Sequence, residues 1–122
     1  MVNVNINSMN IVSHTLIPRL LQRDAQKRSA VINISSVCAY TEGSKDLQVY
    51  AATKAYNLSL GKSLAAAYKD RIDVLTVTPN STKSNMSSGR YVFSILADQF
   101  AKSTNDKLGQ VDVTYGNWKH AI

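Results

Sequence analysis

The 122 residues include 14 Lys and Arg against 8 Asp and Glu, a net charge of +6, with 44% hydrophobic and 18% charged residues. A chain of this size holds at most one small domain with a modest core, and this apolar share excludes an intrinsically disordered polypeptide. The single cysteine, Cys38, excludes an internal disulfide, and no apolar run of about 18 residues or more is present to span a membrane.

The opening Met1–Asn7 lacks the basic start and apolar stretch of a secretory leader and looks like the interior of a folded domain. From Ile6 to Leu21 the apolar Met9, Val12, Leu16 and Leu20 recur at helical spacing, which predicts a helix whose later turns Pro18 bends or tightens. Gln22–Ser29 is charged and polar, a surface connection. Ala30–Ser35 is a short β-branched apolar run, as in a strand buried on both faces of a parallel sheet. Cys38–Leu47, with Thr41, Gly43, Ser44 and Asp46, predicts a loop. Gln48–Tyr68 has many alanines and few breakers, a long helix interrupted only by Gly61. Its Ala51, Ala52, Ala55, Ser59 and Ser63 permit close approach of another helix. Ile72–Val77 is a second buried strand, stopped by Pro79. Asn80–Ser94 is polar and irregular, and Ala97–Leu108 is helical with Gly109 just past its end. The tail Val111–Ile122 holds one short strand-like piece beside Tyr115 and Trp118. No repeat or linker divides the chain. Helix, strand, helix, strand, helix is the order of an α/β fold built on a parallel sheet.

The positive charge clusters only mildly, at Arg23, Lys27 and Arg28, and no nucleic-acid signature accompanies it, so no nucleic-acid partner is expected. A positive field also suits an anionic cofactor phosphate or an acyl carrier. His14 and His120 lack metal-ligand spacing with each other or with Cys38, so no metal site is expected. Gly61-Lys62-Ser63 imitates the end of a phosphate-binding loop, but Tyr56 stands where its glycine is needed. No Gly-x-Ser-x-Gly is present. Cys38, close to Ser36, is expected to be a small packing residue.

The chain carries the spacing Tyr-x-x-x-Lys at Tyr50/Lys54 and again at Tyr115/Lys119. The second lies in a Gly-Asn stretch without helical pattern and is expected to be structural. The first opens a long helix, which puts both side chains on one face. Upstream, the first strand ends in Ser35-Ser36, at the edge where open α/β sheets bind ligands. A free tyrosine titrates near about 10, and a neighbouring cation such as Lys54 favours its phenolate. A serine hydroxyl there can bond a substrate oxygen as charge develops on it. None of these groups supplies a hydride, so a cofactor must.

Ile34-Ser35-Ser36, Tyr50-Ala51-Ala52-Thr53-Lys54-Ala55 and Val74–Pro79 together resemble the second half of a short-chain dehydrogenase/reductase. The resemblance implies a Rossmann-like parallel sheet with flanking helices. It makes Tyr50 the general acid or base, Lys54 its tuner and nicotinamide-ribose ligand, and Ser36, or Ser35, the residue that positions the carbonyl. Asn5 falls at the asparagine of the tetrad, with Asn3 and Asn7 as rivals. Pro79 and Ser84 fall at the cofactor-contacting turn, although Asn80 replaces the glycine usual after the proline. Asn3-Val4-Asn5, Pro79–Met86 and Tyr115–Ala121 resemble the 17β-hydroxysteroid dehydrogenase and very-long-chain 3-oxoacyl-CoA reductase branch. That implies NADP(H), a ketone on an acyl-CoA or steroid, and an endoplasmic reticulum location, with any membrane association through a segment upstream.

The glycine-rich turn that would admit a dinucleotide pyrophosphate is missing: Gly43, Gly61, Gly89, Gly109 and Gly116 lie far apart and none follows a strand. Residues 1–122 are therefore expected to form a partial domain, the catalytic half without the cofactor-binding half. Such a chain alone is expected to be marginally stable, to bind NADP(H) poorly and to be inactive. Two readings follow. The parent is an NADP(H)-dependent ketone reductase, with a homodimer contact on the Tyr50–Tyr68 helix. Alternatively, the chain is a truncated, non-catalytic fragment that pairs with a full-length relative through its helices.

Overall fold

The structure, a computed structural model, describes residues 1–41, 46–85 and 94–121. Residues 42–45 of the expected Cys38–Leu47 loop, residues 86–93 of the 80–94 segment and Ile122 lie outside the described residues. A π-helical turn, Asn3–Asn7, runs directly into helix α1 (Ser8–Leu21). Strand β1 (Ser29–Ile34), helix α2 (Gln48–Tyr68) and strand β2 (Ile72–Val77) form a β-α-β unit. Two short strands, β3 (Thr82–Lys83) and β4 (Ile95–Leu96), precede helix α3 (Ala97–Asn105), and β5 (Val113–Thr114) closes the order.

The main sheet is parallel, in the order β1-β2-β5, with Ser29 opposite Ile72, Ile34 opposite Val77 and Thr76 opposite Val113. Helices flank it, and the arrangement is Rossmann-like. β2 sits in the middle and is almost wholly buried, as an apolar run with neighbours on both sides requires. β1 departs from the expected strand buried on both faces. Its Ser29 and Asn33 are buried, Ser29 beside the end of α1 and Asn33 under α2, whereas Ile32 and Ile34 are 38% and 48% exposed. β1 pairs on one side only, and no described element covers its second face.

The core joins Ile17 of α1, Ala65 of α2 and Ile72 and Val74 of β2, with Leu20, Leu21, Val31, Leu64 and Tyr68 packed around them. Pro18 stays within α1 near its end, where its neighbours Leu20 and Leu21 still reach this core. α2 lies on the sheet through Thr53, Asn57, Gly61 and Ala65, one residue every helical turn. Gly61 is where the layers touch. A Cβ there would overlap the Thr76 hydroxyl and stand 2.6 Å from Asn33 Nδ2. The Asn33 amide donates to the Asn57 carbonyl at 2.7 Å, so the close approach also satisfies a buried polar group. At the opposite end, Arg28 grips Asp73 with Nε and Nη2 at 2.9 and 2.6 Å and donates to the Lys69 and Asp70 carbonyls. That fork ties the turn after α2 to the start of β1.

α3 ends at Asn105, three residues before the expected Leu108, and the chain reverses at Gly109, whose φ of +75° is open to glycine. The described start of the Asn80–Ser94 segment, expected to be irregular, holds β3, which pairs in parallel with β4 just beyond the segment, Thr82 with Ile95 and Lys83 with Leu96.

Candidate active site

In a parallel sheet all strands end on the same side, so the turns after β1, β2 and β5 share one edge. The β1–β2 ladder runs past the strands: the Ser35 N–H donates to the Val77 carbonyl at 2.7 Å and the Val37 N–H to the Pro79 carbonyl at 3.0 Å. Ser36 is thereby seated beside the turn at Pro79. It caps a short 3-10 turn, Val37–Tyr40, its Oγ accepting from the Cys38 N–H at 3.2 Å. Acceptance from a backbone N–H leaves the Ser36 hydroxyl proton available to donate. Ser35 differs: its hydroxyl, wholly buried, donates to the Lys54 carbonyl at 2.7 Å and so pins α2 to the end of β1.

Tyr50 and Lys54 occupy successive turns at the start of α2. The Lys54 ammonium donates to the Ile34 carbonyl at 3.1 Å and lies 5.7 Å from the centre of the Tyr50 ring. Partial burial holds the Lys54 pKa below the usual lysine value. Of its three N–H groups, one goes to Ile34, and the others have no partner among the described residues. Tyr50 is half-buried.

Asn5 lies in the π-helical turn, a rare geometry that recurs at functional sites because it offsets one residue from the helical ladder. Its Nδ2 donates to Thr53 Oγ1 at 2.9 Å, and Thr53 Oγ1 donates to the Tyr50 carbonyl at 2.8 Å. Asn3 and Asn7 instead bond each other at 2.8 Å in solvent. Asn5 alone of the three reaches the turn that carries Tyr50 and Lys54. Thr53, which links them, went unnoticed in the sequence; its place three residues after Tyr50 was the available signal, since such a hydroxyl can bond a carbonyl one turn back.

Pro79 is half-buried at the same edge, and Ser84 is exposed one residue beyond β3. The second Tyr-x-x-x-Lys copy forms no comparable pair. Tyr115 is solvent-exposed and packs against Tyr40 at 6.0 Å, while Lys119 lies over Trp118 at 5.8 Å. Cys38 is half-buried and free. No group of His, Cys, Asp and Glu among the described residues could hold a metal.

A phenol, an ammonium and a serine hydroxyl at one sheet edge can bind a carbonyl oxygen and deliver a proton to it. The unspent Lys54 N–H groups also fit the hydroxyls of a nicotinamide ribose. Among the described residues the glycines, Gly61, Gly109 and Gly116, stand singly and make no glycine-rich turn to cradle a pyrophosphate.

A family model described as short chain dehydrogenase matches residues 1–91. The chain is 30% identical over 129 residues to hydroxysteroid dehydrogenase-like protein 1 of Gallus gallus, covering 100% of this chain and 38% of that protein. It is 39% identical over 87 residues to a very-long-chain 3-oxoacyl-CoA reductase-like protein of Arabidopsis thaliana, covering 70% of this chain and 27% of that one. Its fold matches that of a 7beta-hydroxysteroid dehydrogenase with a TM-score of 0.82 at 23% identity, over 99% of this chain and 48% of the other.

Proposed function

We infer the activity of this chain from its family: it belongs to the short-chain dehydrogenase/reductase family, oxidoreductases that normally use nicotinamide cofactors. The reaction is NADP(H)-dependent reduction of a ketone on a lipid, of the 3-oxoacyl-CoA or 17-ketosteroid type. The observation that carries this reading is the convergence of Tyr50, Lys54, Ser36 and the Asn5–Thr53 link on one end of the sheet. The chemistry of the relatives supports the substrate class, one being a 3-oxoacyl-CoA reductase-like protein and another hydroxysteroid dehydrogenase-like.

NADPH, when bound, supplies the hydride. Ser36 donates a hydrogen bond to the substrate carbonyl, keeping its own proton, and holds the substrate beside Tyr50. The Tyr50 phenol transfers its proton to the same oxygen as negative charge grows there. Lys54 favours the resulting phenolate by its positive charge and binds the ribose with the N–H groups that Ile34 leaves. Asn5 fixes the first turn of α2 through Thr53, and the family would add a water at that asparagine. Pro79 and Ser84 take the nicotinamide side.

Residues 1–122 match 38% or less of the length of the curated relatives named above, so the full reaction draws on a pyrophosphate-binding segment. The test joins a glycine-rich cofactor-binding segment ahead of residue 1 and follows NADPH absorbance with a long-chain 3-oxoacyl-CoA and with a 17-ketosteroid. Consumption with either supports the reading, and none with both overturns it. The reading also gives α2 a second copy of the chain as a partner, on the exposed Ala52, Ala55, Ser59 and Ser63. The parent protein is then placed at the endoplasmic reticulum; among the described residues no helix is long and apolar enough to cross a membrane.

The competing reading is a non-catalytic piece that pairs with a full-length relative through its helices, and the exposed Ile32 and Ile34 of β1 favour some such covering. Thermal melting of residues 1–122 with and without NADPH separates the two. A cofactor-dependent rise in Tm excludes the non-catalytic piece, since a ligand of the native state must stabilise it.

Lys54 also sets a pH dependence. Its folded pKa lies below the usual 10.5, so between those values the unfolded chain binds the extra proton. The buried charge therefore costs stability at neutral pH, and that cost shrinks as pH rises toward 10.5. For catalysis, loss of the Lys54 charge withdraws support from the phenolate, so kcat/KM declines in the alkaline range before an ordinary lysine titrates. Lys54→Arg stays charged there, and its alkaline limb is expected to move to higher pH, whatever its absolute rate. An unmoved limb assigns the decline to another group.

A further inference from the structure

The C-terminal turn holds a histidine that the reaction above does not use. His120 ends a 3-10 turn, Trp118–His120, which Asn117 caps by accepting from the Lys119 N–H at 3.1 Å. It is 2% exposed, and its ring packs on Phe100 of α3 at 5.4 Å between centroids. Its Nε2 lies 3.1 Å from the Ser81 carbonyl. A carbonyl only accepts, so Nε2 carries the proton, and Nδ1 is left buried with no partner among the described residues. A buried imidazole that spends an N–H on the Ser81 carbonyl is placed for that bond.

That carbonyl lies at the start of β3. The Ser81 and Ser94 hydroxyls bond each other at 2.8 Å, and β3 and β4, which follow these two serines, pair in parallel. The two segments are thus fastened together, and the fastening still has to be attached to the rest of the molecule. β5 holds one side, the Thr78 N–H donating to the Thr114 carbonyl at 2.8 Å. His120 holds the other, reaching Ser81 from the tail while resting on α3. The tail comes this close because Gly116, at φ +75°, crosses α3 where a Cβ would overlap Phe100 and stand 2.8 Å from Thr104 Oγ1.

We propose that His120 is a positioning residue that locks Ser81 and its link to Ser94, and with them the backbone from Pro79 to Ser84, against the sheet edge. The consequence for cofactor binding rests on the oxidoreductase reading: the lock presets the turn that meets the nicotinamide, so its loss raises KM for NADPH more than it lowers kcat.

Amide hydrogen exchange on residues 1–122 tests the lock without any activity. His120→Phe keeps the ring on Phe100 but has no donor, whereas His120→Gln can offer an amide N–H at the position of Nε2. Exchange across residues 80–85 and 94–96 is expected to be about tenfold faster in His120→Phe, with α2, β1 and β2 as in the parent, and close to parental in His120→Gln. Unchanged exchange at 80–85 and 94–96 in His120→Phe overturns the proposal. So does acceleration spread evenly over the chain, or a His120→Gln protein no better than His120→Phe. In the joined protein, the same pair read by KM for NADPH tests the cofactor consequence. The exchange pattern intact with no NADPH use by any variant supports the lock and overturns the oxidoreductase reading alone.

Discussion

Tyr50→Phe is expected to lower kcat for ketone reduction by about 10²–10⁴-fold, the span that a positioned general acid contributes, with little change in KM for NADPH. The two quantities separate because the substitution removes one oxygen and nothing else from the site. The phenyl ring stays in reach of the Lys54 ammonium, now 5.7 Å from the ring centre, and Lys54 keeps its 3.1 Å bond to the Ile34 carbonyl. The ribose contacts assigned to Lys54 therefore survive, and only the proton is missing. Ser36 cannot replace it, since an alcohol is far weaker as an acid than a phenol whose anion a cation supports. Tyr115→Phe serves as the control and should leave kcat unaltered, because Tyr115 stands against Tyr40 and it is Tyr50 that Lys54 flanks. A Tyr50→Phe protein that runs at the parental rate removes Tyr50 from the mechanism, and an equal loss in both variants means the fold, not the proton, was disturbed.

Gly61→Ala is expected to destabilise the chain by about 3 kcal/mol and lower Tm by roughly 10 °C, the upper part of the range for overpacking a core. Alanine is ordinarily the better helix former, by about 1 kcal/mol, so a helical glycine invites the opposite expectation. The contact decides the sign. The added methyl would overlap the Thr76 hydroxyl and press Asn33 Nδ2 at 2.6 Å. Neither neighbour can swing away, since Thr76 is fully buried on the central strand and the Asn33 amide is committed to the Asn57 carbonyl. Relief requires lifting α2 from β2, which also unseats Ala65 from the core and carries Tyr50 and Lys54 away from Ser36. Circular dichroism melts of parent and variant measure the effect, and a stabilised Gly61→Ala would mean that the layers are free to separate there.

The bounds of α2 and β2 were legible in the sequence to the residue, because one is a long alanine-rich run with few breakers and the other a strongly apolar run stopped by Pro79. The pairing of Tyr50 with Lys54 followed from helical spacing alone. The different bonding of Ser35 and Ser36 did not. It depends on which hydroxyl meets the Lys54 carbonyl, a contact between residues 19 apart, and on a cap formed two residues ahead. Likewise Asn5 stands out from Asn3 and Asn7 only through Thr53, 48 residues away. The exposed side of β1 was hidden because its composition, Val31-Ile32-Asn33-Ile34, states what the strand can bury and not what is present to bury it. The π-helical turn was hidden for a related reason: shifting one hydrogen bond along the helix leaves the residue pattern almost unchanged.

The open edge of β1 makes concentration a variable in every measurement above. A strand bonded on one side presents the backbone donors and acceptors of the other to any extended segment it meets, and Ile32 and Ile34 offer apolar surface beside them. Two such edges from separate molecules can join as readily as one edge joins its proper neighbour, and the first encounter wins in proportion to how crowded the solution is. During synthesis in a cell this sets a race between correct burial and clumping, which holding chaperones slow by occupying the same strip. At the bench it favours dilute samples, and light scattering that grows faster than protein concentration would be its earliest sign.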